Sequence, residues 1–114
     1  MKYALLIYED ESLYGPGKNG PALQQIVSKH MAFNGELGAT RVGGAGLAGT
    51  SSATTVRTAK GNQTVQDGPC APATEQLGGF YLIEAPDLKA AIAIAKRVPV
   101  LQDGAIEIRP LLEP

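Results

Sequence analysis

Hydrophobic residues alternate through positions 2–8, with Tyr3, Leu5 and Ile7 on one face of a predicted strand and Ala4, Leu6 and Tyr8 on the other. Both faces are apolar. A layer of helices can cover only one of them, so the expected cover for the second is another copy of the chain, giving a homodimer that pairs through its sheet faces. Acidic residues followed by Gly15, Pro16, Gly17 and Gly20 then punctuate a loop. Leu23, Ile26, Val27, His30, Phe33 and Leu37 recur at steps of three and four, which predicts a helix over 21–37, opened by Pro21 and ended by Gly38. Residues 40–49 read as a glycine-broken strand. Residues 53–58 and 63–66 read as the arms of a hairpin turned at Lys60-Gly61-Asn62, with Asp67-Gly68-Pro69 ending the second arm. Residues 79–85 form a further predicted strand, with Phe80 and Leu82 facing one way and Tyr81 and Ile83 the other.

The second helix starts at Asp87, whose short carboxylate suits an N-cap, and carries Leu88, Ala91, Ile92, Ala95 and Val98 at helical spacing, with Lys96 and Arg97 at its negative end and Pro99 beyond. In the last predicted strand, 105–109, Ile106 and Ile108 oppose Glu107 and Arg109, so one face looks into water or a polar cavity. The order is βαββαβ with a hairpin inserted in the middle. This predicts an α+β fold of ferredoxin-like type, an antiparallel sheet with both helices on one side.

A chain of 114 residues fits a single domain, 1–114, with a real core and no need for staples. The net charge is −1 and the basic residues are scattered singly, so no basic stripe is offered to a phosphate backbone and nucleic acid is not an expected partner. Cys70 is the only cysteine and His30 the only histidine, which excludes an internal disulfide and makes a Cys- or His-based metal site implausible. The apolar run at the N-terminus is shorter than a signal segment and nothing approaches the ~20 residues a bilayer crossing needs, so a soluble cytoplasmic protein is expected.

Gly44-Ala45-Gly46-Leu47-Ala48-Gly49 matches G-x-G-x-x-G, but Thr50-Ser51-Ser52-Ala53-Thr54-Thr55-Val56 leads on toward a β-branched strand rather than opening a helix that could hold a pyrophosphate. The glycines read as strand-bending, and no cofactor is expected. His30 is the only side chain whose ordinary pKa lets it exist protonated or neutral near neutral pH. A core histidine with both ring nitrogens satisfied is the ordinary reading of its apolar stripe. The acid-base reading needs an orienting carboxylate, and Asp67 is the candidate if the fold brings the Gly-Pro turn to the helix; otherwise Asp67 is turn chemistry. Arg57 and Arg109, on strands, could each grip a carboxylate ligand or pair with an acid such as Glu107, Arg57 being the candidate anion anchor, and Glu75 and Tyr81 are candidate ligand contacts. Cys70 lies in a loop with no fixed basic neighbour and reads as a passive thiol.

Lys2 to Tyr8, Ala53-Thr54-Thr55-Val56-Arg57, Asp67-Gly68-Pro69, Gln76 to Glu84, Pro86-Asp87-Leu88 and Ile106 to Pro110 together resemble the YCII-related family, in particular its branch named for an Asp-Gly-Pro-Phe motif. The resemblance implies a ferredoxin-like fold paired into a dimeric α+β barrel, and a His and Asp pair in a cleft, carried here to His30 and Asp67. Cys70 replaces the motif's Phe, and Pro72-Ala73-Thr74 stands where relatives tend to carry Glu, Thr and Lys. The resulting expectation is a cofactor-free acid-base catalyst of lyase-like type acting on a small polar metabolite. The alternative is a non-catalytic ligand-binding or protein-interaction module in which His30 is structural.

Overall fold

A computed structural model describes residues 1–113, in the order β1 (Lys2–Glu9), α1 (Pro21–Leu37), β2 (Arg41–Gly46), β3 (Thr54–Ala59), β4 (Asn62–Asp67), β5 (Gln76–Glu84), α2 (Leu88–Ala95) and β6 (Ala105–Pro110). The main sheet is antiparallel, in the order β2-β5-β1-β6, and β3 and β4 form a separate two-stranded sheet. With that hairpin set aside, the first and third strands of the βαββαβ unit lie at the centre and the second and fourth at the edges, which is the ferredoxin-like topology. Fold class and inserted hairpin are as the alternation and punctuation predict.

Local chemistry sets the element ends. Pro21 opens α1, where its missing N–H costs nothing, and Gly38 closes it at φ 53° with its N–H donated to the Asn34 carbonyl. Asp87 caps α2, its Oδ1 accepting from the Ala90 N–H at 2.8 Å. The hairpin turn is tighter than expected: Asn62 pairs with Ala59, leaving Lys60 and Gly61 (φ 52° and 82°) as a two-residue turn whose positive angles suit the twist of the arms.

The inward faces of β1 and β5 supply Tyr3, Leu5, Tyr81 and Ile83, packed against Phe33 and Leu37 of α1 and Ala91 and Ala95 of α2. Leu5 and Ile83 are fully buried, each contributing about 1.5–3 kcal/mol of transfer free energy. Ile106 and Ile108 pack on the same cluster, while Glu107 and Arg109 pair at 3.3 Å on the exposed side of β6. Of the expected α1 stripe, Ile26, Phe33 and Leu37 are buried, whereas Val27 is 45% exposed and His30 half-buried. The opposite sheet face carries Leu6, Tyr8, Phe80 and Leu82, all half-buried. Among the described residues no helix is long and apolar enough to cross a membrane.

Two irregularities in the sheet bear on the site. Ile7 opposes Gly79 but Tyr8 opposes Leu77, so Gly78 is an extra residue on β5. Arg41 opposes Ile83 but Gly43 opposes Leu82, so Val42 is an extra residue on β2. Such bulges re-aim neighbouring side chains, and here they flank one cavity.

Candidate functional site

The cavity, of about 220 Å³, lies between α1, the end of β1, the bulged part of β5 and the start of β2. Helical spacing puts Ile26, His30 and Asn34 one turn apart on the wall that α1 supplies. Strand spacing carries the inward series Tyr3, Leu5, Ile7 one step further to Glu9, which is 5% exposed. Tyr81 comes from the inward face of β5, and Arg41 reaches the same side from β2, its guanidinium 5.9 Å from the Tyr81 ring centroid.

His30 Nδ1 lies 2.7 Å from the Tyr81 hydroxyl. That hydroxyl has no other partner among the described residues, so its proton is satisfied only if it donates to Nδ1, which leaves the proton of the neutral ring on Nε2. Nε2 itself has no partner in the described chain and remains free for a ligand. Phe33 meets the Tyr81 ring edge-on, centroids 5.5 Å apart at 86°, and fixes its orientation. Burial pushes the His30 pKa below its ordinary 6.5, with the Glu9 charge opposing in part; burial raises that of Tyr81, with the Arg41 charge opposing. Both groups are therefore neutral near neutral pH.

Glu9 accepts from the Tyr14 hydroxyl at 2.8 Å and from the Leu101 N–H at 2.7 Å, and burial together with that carboxylate pushes the Tyr14 phenol well above its ordinary range. Lys18 Nζ donates to the carbonyls of Leu47 (2.8 Å) and Gly78 (3.5 Å). Arg41 donates one N–H, from Nη2 to the Gly44 carbonyl at 3.1 Å, and its buried Nε has no acceptor; the buried Asn34 Oδ1 likewise has no donor. Asn34 from α1 and Arg41 from β2 thus each bring a buried polar atom without a protein partner to residues that line the cavity, which is unusual in a folded interior.

A second, shallower cleft runs past Asp10, Glu11, Thr50 and Pro69. Its acidic groups are already engaged, Asp10 with Ser12 and Glu11 with Thr50, so it offers less unmet chemistry. No group of three or more His, Cys, Asp or Glu among the described residues could hold a metal ion.

The structure joins His30 and Tyr81 but not His30 and Asp67. Asp67 is exposed at the end of β4, opposite Thr54, and the turn after it closes on its own hairpin: Gly68 N–H donates to the Ala53 carbonyl (2.8 Å) and Thr55 Oγ1 to the Gly68 carbonyl (2.7 Å). Within one chain, then, the side chain set beside the His30 ring is Tyr81 rather than Asp67, and the carboxylate that lines the cavity is Glu9. Arg57 is exposed on the hairpin and donates to the Cys70 carbonyl at 2.6 Å, and Glu75 is exposed in the loop before β5; neither lines the cavity. Gly44 and Gly46 lie inside β2 and only a short 3-10 turn, Thr50–Ser52, follows Gly49, so the glycine run bends a strand and opens no helix. Glu9, Asn34 and Arg41 were not singled out from the sequence, though Glu9 extends the period-two series of β1 and Asn34 lies one turn beyond His30.

A model of the YCII-related domain matches residues 1–113. The chain belongs to the YCII-related family. It is 34% identical over 118 aligned positions to an uncharacterised protein of Rhizobium meliloti (strain 1021), a match covering 97% of this chain and 92% of that protein. In this YCII-related chain the cavity holds a neutral imidazole with one committed nitrogen and one free, two unionised phenols, a carboxylate that accepts on both oxygens and an under-used guanidinium. That set can bind a small polar molecule and pass it a proton.

Proposed function

We propose that the cavity is a cofactor-free acid-base site in which His30 exchanges a proton with a small polar metabolite and Tyr81 holds the ring in place. The observation that carries this reading is the 2.7 Å contact between Tyr81 and His30 Nδ1, which commits one ring nitrogen and leaves the other to a ligand on the cavity wall. In the resting tautomer Nε2–H is a donor to a carbonyl or oxyanion of the bound molecule. If the ligand takes over the Tyr81 proton, the ring can carry its own proton on Nδ1, donate it to the Tyr81 oxygen and use Nε2 as the base. The imidazolium then formed is favoured by the Glu9 charge and disfavoured by burial, so the proton is readily returned. Asp67 has no part in this step within one chain.

The test is to find ligands in a metabolite library by thermal shift and to follow deuterium uptake from D2O into each one. Wild-type protein should label at least one ligand. His30→Gln should bind it and label it about 10²–10⁴-fold more slowly. Equal labelling by His30→Gln removes His30 from the chemistry, and binding with no labelling of any ligand favours the non-catalytic binding module with a structural histidine.

We also propose that the protein is a homodimer through the sheet face that the helices leave open. Leu6, Tyr8, Phe80 and Leu82 lie there, and the shortest extent of the chain, 21 Å, is that of one sheet and one helix layer.

A further inference from the structure

We propose that the molecule taken by this cavity is a compact monoanion with an apolar body, a small carboxylic acid in its ionised form, with its carboxylate held by Arg41. The inference rests on reading the cavity as a small-molecule site but does not require His30 to be catalytic. Its charged lining is two cations, Lys18 and Arg41, against one carboxylate, Glu9, an excess of one positive charge. The three charges are not equally engaged. Glu9 uses both oxygens on Tyr14 and Leu101, and Lys18 spends its ammonium on the carbonyls of Leu47 and Gly78. Arg41 has no carboxylate within ion-pair distance among the described residues, donates a single hydrogen bond, and keeps a buried Nε without an acceptor. A guanidinium presents donors in a planar fork that matches a carboxylate, so the ligand group that suits Arg41 is an anion.

Geometry limits the size of that anion. Arg41 lies over the face of the Tyr81 ring, whose hydroxyl holds His30, so anchor and imidazole share one side chain between them. A molecule touching both is compact. Ile7, Leu23, Ile26, Val27 and Leu47 make much of the remaining wall apolar, and they accept a hydrocarbon or ring.

The experiment compares benzoate with benzamide, which share a shape and differ in charge, by titrating each into the protein at neutral pH and following the His30 ring resonances and the melting temperature. Benzoate should bind saturably and about tenfold or more tighter than benzamide. Arg41→Gln should weaken benzoate by about tenfold or more and leave benzamide unchanged, Arg41→Lys should recover part of the loss, and Arg57→Gln, outside the cavity, should have no effect. If Arg41→Gln does not fold by circular dichroism, Arg41→Lys decides, since replacing the planar fork by a point charge must still weaken benzoate selectively. Benzamide binding as well as benzoate, or benzoate affinity indifferent to both Arg41 variants, overturns the proposal. The His30→Gln variant separates the two readings: Arg41-dependent benzoate binding that survives in it upholds the anion site even if no ligand is ever labelled, whereas labelling of a neutral ligand without benzoate binding upholds acid-base chemistry and removes the anion.

Discussion

Single side chains in the cavity are tuned against each other, and their titration makes this visible. The folded pKa of His30 lies below the unfolded value, so between the two the unfolded chain binds more protons and stability rises with pH. The protein should therefore lose stability as pH falls from about 6.5 through the folded pKa, a loss that denaturant melts of His30→Gln should no longer show over that window. Glu9→Gln acts twice. It removes the charge that holds the His30 pKa up, so that pKa should fall further, and it sets an amide N–H against one of two donors, Tyr14 or Leu101, at a cost of about 1–3 kcal/mol. An unchanged His30 titration in Glu9→Gln would remove the carboxylate from the electrostatics of the site.

Secondary-structure elements place these groups through capping and bulges rather than through propensity alone. Asp87→Ala removes the cap of a helix only eight residues long and should cost about 1 kcal/mol in urea melts, with a matching loss of protection at the Ala90 amide. Gly44 sits at φ 150° with a would-be Cβ 2.6 Å from the Phe80 carbonyl oxygen, so Gly44→Ala should destabilise by about 1–3 kcal/mol and disturb the Arg41 contact to the Gly44 carbonyl. Much of the element order could be read from the chain: the stop at Gly38 and the cap at Asp87 follow from residue type, and the shared face of Tyr81 and Ile83 follows from spacing. The site was only half legible. Spacing puts His30 in the apolar stripe of its helix and Tyr81 on one face of its strand, but Arg41 reaches the cavity through an extra residue at Val42 that no periodic pattern announces. Asp67 looked available to His30 because sequence shows the rigidity of an Asp-Gly-Pro turn and not its direction; the turn bonds back to its own hairpin.

At the level of the entire chain, one sheet face is packed against two helices and the other is half exposed, while Val56 and Val65, cross-strand partners on the hairpin, are 60% and 72% exposed. Two-stranded hairpins are marginal alone in water, so a second copy that covers sheet and hairpin together should appear as a dimer by sedimentation at low micromolar concentration; a clean monomer would leave those surfaces to some other partner. The cavity draws its groups from β1, α1, β2 and β5 at once, and the His30 ring reports whether they converge. The decisive measurement is an NMR titration of the ring nitrogens in wild type and Tyr81→Phe. Wild type should carry its neutral-state proton on Nε2 and titrate below 6.5, and Tyr81→Phe should shift that tautomer balance. A ring that titrates at or above 6.5, with a tautomer indifferent to Tyr81, would contradict the site described.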